Sequence, residues 1–219
     1  MSNSSLSNKY TCREELTHSI SHGIGAGFAI VGLIILLVNA TRHGDIWHIV
    51  SAAIYGSSLI LLYAASTLYH YFTAPTLKRI FQQLDHSMIY ILIAGTYTPL
   101  TLVTLRGPWG WTLFGLVWGM ALCGLVLELA IKKQIHWFSL TLYLGMGWLL
   151  VIAVKPLMGS LATGGLVLLL TGGLFYTSGI IFYIWKNLSY NHAIWHLFVM
   201  AGSTAHFFAI LLYVMPHVA

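Results

Sequence analysis

The sequence predicts an all-α protein, a bundle of seven transmembrane helices, and three observations lead there. Of 219 residues, 58% are hydrophobic and only 7% are charged, whereas soluble domains carry about 25% charged residues. The mean hydropathy is +0.82. Cutting the chain at each Asp, Glu, Lys and Arg leaves seven charge-free windows: 16–41, 46–77, 86–105, 107–127, 134–154, 156–185 and 187–219. Each can hold the roughly 20 apolar residues that a bilayer-crossing helix needs.

The elements follow from those windows in chain order. Residues 1–15 are polar and read as a cytoplasmic arm ahead of a membrane domain over 16–219. No small-residue cleavage site follows the first apolar run, so 17–40 is read as a retained helix and not a signal peptide. Asp45 and Lys78 bound the second helix, 47–70, and Asp85 and Arg106 the third, 84–105. The fourth, 110–130, ends before Lys132 and Lys133; the fifth, 137–155, stops at Lys155. The sixth, 162–185, meets Lys186, and the seventh covers 191–214. Trp47, Trp109, Trp111 and Trp137 fall near the expected membrane interfaces, as an aromatic belt requires.

Orientation is read from the basic residues. A cytoplasmic N-terminus puts Lys9, Arg13, Lys78, Arg79, Lys132, Lys133 and Lys186 inside and Arg42, Arg106 and Lys155 outside, which satisfies the positive-inside rule. Seven spans then carry the C-terminus to the opposite side. The net charge of +5 needs no nucleic-acid partner, because basic cytoplasmic loops are expected of an inner-membrane protein. The two cysteines, Cys12 and Cys123, form neither a disulfide framework nor a thiolate metal site, and packing is the expected role of Cys123. Gly23 with Gly27, and Gly115 with Gly119, have the small-xxx-small spacing that lets helices approach closely.

Eleven histidines are many for this length. His43, His48, His136 and His217 lie near helix ends or loops, where an amphipathic ring suits the interface. His206 falls mid-membrane and reads as a packed or hydrogen-bonded histidine, and Glu128 as a surface ion pair with Lys132 or Lys133. The others converge. Glu15, His18 and His22 open the first helix, Ser66 and His70 close the second, Asp85 opens the third, and His192 and His196 open the last. In the inferred orientation all are cytoplasmic helix ends, so distant segments deliver His, Asp and Glu to one depth of the membrane.

His192 and His196 are four residues apart, on one helix face about 6 Å from each other. With His70 from another helix they offer three neutral nitrogens to a divalent metal and leave the fourth tetrahedral position open, the pattern of a catalytic zinc site. Interhelical hydrogen bonding is the plainer use of such a pair. Asp85 is an intramembrane carboxylate, expensive unless paired or used; it suits a hydrogen bond to a ligand or to the attacking water, or a helix N-cap.

The segments EELTHSISHGIGAG (14–27), STLYH (66–70), LDHSMIYILIAGTYTP (84–99) and NHAIWH (191–196) together closely resemble the bacterial haemolysin III-like membrane proteins, which group with the progestin and adipoQ receptors. The resemblance covers all seven helices. It implies a cytoplasmic N-terminus, a multi-pass protein of the bacterial inner membrane, and a zinc ion held near the cytoplasmic face by His70, His192 and His196. It further implies that Asp85 and Ser66 stand close to the reacting water and that Glu15, His18 and His22 support the site; His18 departs from the family's usual asparagine.

Two functions compete. One is a zinc-dependent intramembrane hydrolase acting on an amide or ester of a membrane lipid, which the resemblance favours because eukaryotic relatives are proposed ceramidases. The other is a non-enzymatic protein that senses or maintains membrane state, with zinc fastening helices together. A haemolysin-like pore ranks below both, since no regular polar stripe runs through consecutive helices. Retinal binding is disfavoured because window 187–219 has no lysine for a Schiff base. The orientation is testable: a reporter fused after Ala219 is expected to behave as extracytoplasmic, and a cytoplasmic signal would overturn the seven-span count or its direction.

Overall fold

The computed structural model describes residues 10–130 and 136–215. Lys9, Lys132, Lys133 and His217, used in the readings above, lie outside the described residues. The chain runs through α1 (Cys12–His43), α2 (Ile46–Tyr71), α3 (Pro75–Pro99), α4 (Pro108–Ala130), α5 (His136–Gly147), α6 (Val154–Ser160), α7 (Thr163–Ile184) and α8 (Asn191–Tyr213). A π-helical turn, Leu100–Thr104, extends α3, and a 3₁₀ segment, Leu149–Ala153, joins α5 to α6. Seven helical spans are therefore long and apolar enough to cross a membrane, and no strand occurs among the described residues. Lipid cannot hydrogen-bond a backbone, so helices satisfying their own amides are the expected solution.

Helix ends decide where the polar residues stand. Thr11 caps α1: its hydroxyl accepts from Glu14 N at 3.2 Å while Glu14 Oε2 accepts from Thr11 N at 2.9 Å, a reciprocal capping box. Glu14 and Glu15 thus sit inside the first turn of the helix. The third helix begins at Pro75, well before the 84 expected from charge alone, with Ala74 at its cap position. Lys78, Arg79, Gln82 and Gln83 interrupt an apolar window, but all are good helix formers, so they end the hydropathy signal and not the helix. Asp85 consequently lies in the helix interior, and the N-cap reading of it is excluded.

At the opposite end of the bundle, Asp45 caps α2 by accepting from Trp47 N (2.9 Å) and His48 N (3.2 Å), and it takes Arg106 Nη1 at 2.9 Å. Slight desolvation works upward on its carboxyl, but hydrogen bonds from His48 and Arg106 outweigh that and lower its pKa to about 2. Arg106 also lies over the Trp47 ring, 5.2 Å from its centroid.

Neighbouring helices pack in the order α4, α3, α2, α1, α8 and α7. In the apolar window of the third span 67% of residues are buried, against 11% in the fifth, so the α5–α6 span is peripheral. Large apolar residues such as Phe28, Val31, Val126 and Met158 face outward, as a lipid-solvated surface demands. Cys123 is also exposed, on the outward face of α4 instead of packed inside. Close helix approach occurs at glycines other than the two expected pairs. A Cβ on Gly27, Gly115 or Gly119 would meet nothing within 4 Å, whereas one on Gly95 would lie 2.8 Å from Ser58 Cβ and one on Gly124 2.5 Å from the Tyr90 ring.

Both irregular segments have a local cause. Proline in a helix removes one amide and crowds the preceding turn; after Pro99 the ladder widens to π spacing, with Leu105 N bonded to Leu100 O at 2.8 Å. Pro156 sits in the first turn of α6, just after the 3₁₀ stretch. There Tyr97 inserts from α3: its hydroxyl donates to Gly147 O at 2.9 Å and accepts from Leu150 N at 2.8 Å. The side chain stands in for the broken backbone ladder and fastens the peripheral span to the middle. Tyr97→Phe is expected to destabilise the bundle by about 1–3 kcal/mol, measured as a lower melting temperature in detergent; an unchanged midpoint would mean that the hydroxyl carries no stability.

Candidate metal centre

His70 lies in the last turn of α2 and is 3% exposed. Its Nδ1 is 2.7 Å from Glu15 Oε2 on α1. A carboxylate only accepts, so Nδ1 carries the hydrogen and Nε2 keeps its lone pair; that Nε2 is buried with no hydrogen-bond partner among the described residues. Glu15 is held in turn by Lys78, whose Nζ donates to Oε1 at 2.9 Å and to Tyr69 O at 3.3 Å.

His192 and His196 sit at the start of α8, both buried, with ring centroids 4.6 Å apart. Glu14 helps place that start: its Oε1 accepts from Tyr190 N at 3.2 Å, where Tyr190 adopts the left-handed conformation (φ 58°) that turns the chain into α8. The tautomer of His196 follows from Ser21, whose hydroxyl donates its one hydrogen to His18 O at 2.9 Å. Ser21 Oγ is also 2.9 Å from His196 Nδ1, so Nδ1 must be the donor there and Nε2 the bare nitrogen. Ligand atoms of His70, His192 and His196 all lie within 4.8 Å of one another. Buried imidazoles, two with Nδ1 engaged from behind, are the donor chemistry that a borderline divalent metal takes.

The first helix closes one side. His18 is fully buried, with its ring centroid 4.7 Å from His70 and 4.9 Å from His192. His22 stacks on His196 at 3.5 Å, nearly parallel. Tyr10, just before α1, lies edge-on to His18 at 4.8 Å and stacks on His192 at 5.4 Å. Burial, reinforced by Tyr183, Glu15, Glu14 and Asp85, raises the Tyr10 pKa well above that of an ordinary phenol, so this ring is neutral.

Ser66 and Asp85 reach the centre from the other side. Both are buried, and both line a cavity of about 160 Å³ whose wall also includes His22, His192 and His196. Away from the histidine cluster the wall is mainly apolar, with Ile89 and Ile93 of α3, Leu140 and Leu144 of α5, and Ile180 of α7. His206 lies farther along; its Nε2 donates to Leu169 O at 3.0 Å, the hydrogen-bonded role expected of it.

With this arrangement in view, comparison with known proteins is decisive. The profile described as "Haemolysin-III related" matches residues 10–207. The chain is 47% identical over 204 residues to "Hemolysin-3" of Bacillus cereus, covering 93% of each chain. It is 48% identical to "Hemolysin-3 homolog" of Bacillus subtilis (strain 168), covering 93% of this chain and 96% of that one. The chain belongs to the haemolysin III family. Its likeness extends to the human "Monocyte to macrophage differentiation factor", 30% identical over 94% of this chain and 86% of that one.

For this haemolysin III family member the structure gathers all eight residues singled out from sequence at one end of the bundle. It also adds several that sequence reasoning passed over. Ser21 and Lys78 hold His196 and Glu15 in place; Ser21 was signalled only by its position in HSISH, and Lys78 by nothing but its charge. Glu128 departs from the surface role expected of it. It is buried on the cavity wall, its Oε1 3.2 Å from His86 Nδ1, and its Oε2 accepts from Ser139 Oγ at 3.2 Å. A signal was present, since Glu128, like Asp85, is an acid near the end of a span.

Metal content after purification tests the assembly. His70→Ala is expected to abolish binding, while Glu15→Gln and Ser21→Ala should each weaken it roughly 10–100-fold by releasing a ligand's orientation, read by elemental analysis and chelator competition. Full metal content in His70→Ala would remove α2 from the centre.

Proposed function

We propose that this haemolysin III protein is a zinc-dependent intramembrane hydrolase that cleaves an amide or ester bond of a membrane lipid. The observation that supports it most is the cavity, which is polar at His192, His196, Ser66 and Asp85 and mainly apolar beyond, with Glu128, His86 and Ser139 as a second polar group. A lipid acyl chain suits the apolar part, lined by Ile89, Ile93, Leu140 and Leu144, and its carbonyl then falls at the histidine end. Three imidazoles in a low-dielectric setting select zinc over hard-oxygen metals such as Mg²⁺. What zinc supplies when bound is Lewis acidity, which polarises an acyl carbonyl and makes water more acidic.

The protein groups do the rest. His70 and His196 present Nε2 because Glu15 and Ser21 engage their Nδ1 atoms. Asp85, buried beside the cavity, accepts the proton of the attacking water on a carboxylate oxygen. Once the water oxygen has bonded to the acyl carbon and the C–N or C–O bond breaks, Asp85 returns that proton to the leaving amine or alcohol. Ser66 orients the water by hydrogen bonding. Enclosure by α1, α2, α3 and α8 excludes bulk water from the histidine end.

A non-enzymatic reading, zinc as a fastener of α2 to α8, has one observation in its favour: His18 crowds the three ligand rings. The two readings separate by experiment. Purified protein incubated with a mixed lipid extract is expected to release fatty acid, and a chelator to stop it. Asp85→Asn should keep its zinc and its melting temperature while activity falls on the order of 10²–10⁴-fold. Fatty acid release at the wild-type rate by Asp85→Asn would remove the proposed proton carrier, and no release by zinc-loaded wild type would leave the fastener reading.

A further inference from the structure

Like His22, His18 is an unsatisfied buried polar side chain of the centre. It is 0% exposed, and neither of its ring nitrogens has a hydrogen-bond partner among the described residues. A buried imidazole in that condition has lost its water at both nitrogens without compensation, unlike His70 and His196, each of which has one nitrogen engaged. Its ligand atom belongs to a second set, with Glu15 and His70, whose atoms lie within 4.8 Å of one another, and not to the set of His70, His192 and His196; the two sets share His70. In that set both Glu15 oxygens are already taken, by His70 and Lys78, so His18 is the donor with nothing else to do.

The arrangement of the rings is more specific. Four imidazoles bound to one tetrahedral zinc at about 2.0–2.1 Å place their ring centroids roughly 3.2 Å from the ion and therefore about 5.2 Å from each other. The centroids of His18, His70, His192 and His196 are separated by 4.7, 4.9, 5.5, 5.1, 5.3 and 4.6 Å, all six pairs near that value. His22 does not fit the pattern, since it stacks flat on His196 at 3.5 Å.

We propose that His18 is a fourth metal ligand, which closes the coordination shell in the resting protein and ties α1 to α2 and α8. This rests on the metal centre proposed above and alters its resting state: the position that hydrolysis needs open is held by His18 until water or a carbonyl displaces it. Tyr10 packs edge-on to His18 at 4.8 Å and stacks on His192 at 5.4 Å, covering both rings.

The test counts imidazoles. X-ray absorption on the zinc-loaded full chain is expected to show four histidine nitrogens in wild type, and three with one oxygen in His18→Asn. The cobalt-substituted proteins should differ likewise, with azide shifting the visible spectrum of His18→Asn at concentrations at least about tenfold lower than wild type requires. Three imidazoles in the wild type, or a cobalt spectrum unchanged by His18→Asn, would overturn the role of His18 while leaving the metal centre intact. Two zinc ions per chain would overturn it in favour of separate sites sharing His70. A wild type that binds no metal would sink the centre itself.

Discussion

Five histidines, His18, His22, His70, His192 and His196, are packed ring against ring where α1, α2 and α8 meet, and all five are buried. Each imidazole nitrogen taken out of water needs a partner, and the low dielectric makes an unmet one expensive and a met one strong. Glu15, braced by Lys78, meets one nitrogen of His70; Ser21 meets one of His196. Ligand atoms of His70, His192 and His196 lie within 4.8 Å of one another, close enough for one metal ion to be shared among them. Other features serve this junction: the Thr11–Glu14 box that starts α1 early enough for Glu15 to reach α2, the left-handed Tyr190 that aims α8, and the long α3 that carries Asp85 inside.

The other half of the molecule makes room for a ligand. Regular helices from α3, α5 and α7 would pack more closely, but here two of the spans depart from regular geometry. Pro99 widens α3 into a π turn, and the fifth span breaks around Leu149–Ala153. Irregular backbone is tolerated at membrane depth only where protein groups replace the lost hydrogen bonds. Tyr97 does so for Gly147 and Leu150, and Thr98 accepts from Trp118 Nε1 at 3.1 Å. The cavity lies along these same spans, so the backbone defects and the space between helices are one feature.

Glu128, His86 and Ser139 add a second polar group to the cavity wall, contributed by α4, α3 and α5. Glu128 and Asp85 supply the acidic groups of a chamber whose wall is otherwise mainly apolar.

By itself the sequence determined the number of spans, because charges are too costly in hydrocarbon to be placed at random and seven gaps between them were long enough. It also determined which residues could meet, since His70, His192, His196, Glu15, His18, His22, Ser66 and Asp85 all stand at helix ends of one side. Depth is a one-dimensional property, and spacing along the chain reveals it. Which face a residue turns, and toward which neighbour, depends on helix rotation and packing, and tertiary structure alone decided it. Thus Glu128 turned inward to His86 instead of outward, Cys123 turned to the lipid face, and Asp85 proved to be interior because Pro75, and not the charges, starts its helix. The tetrahedral spread of four rings from three helices is such a rotational fact, and no spacing in the chain announces it.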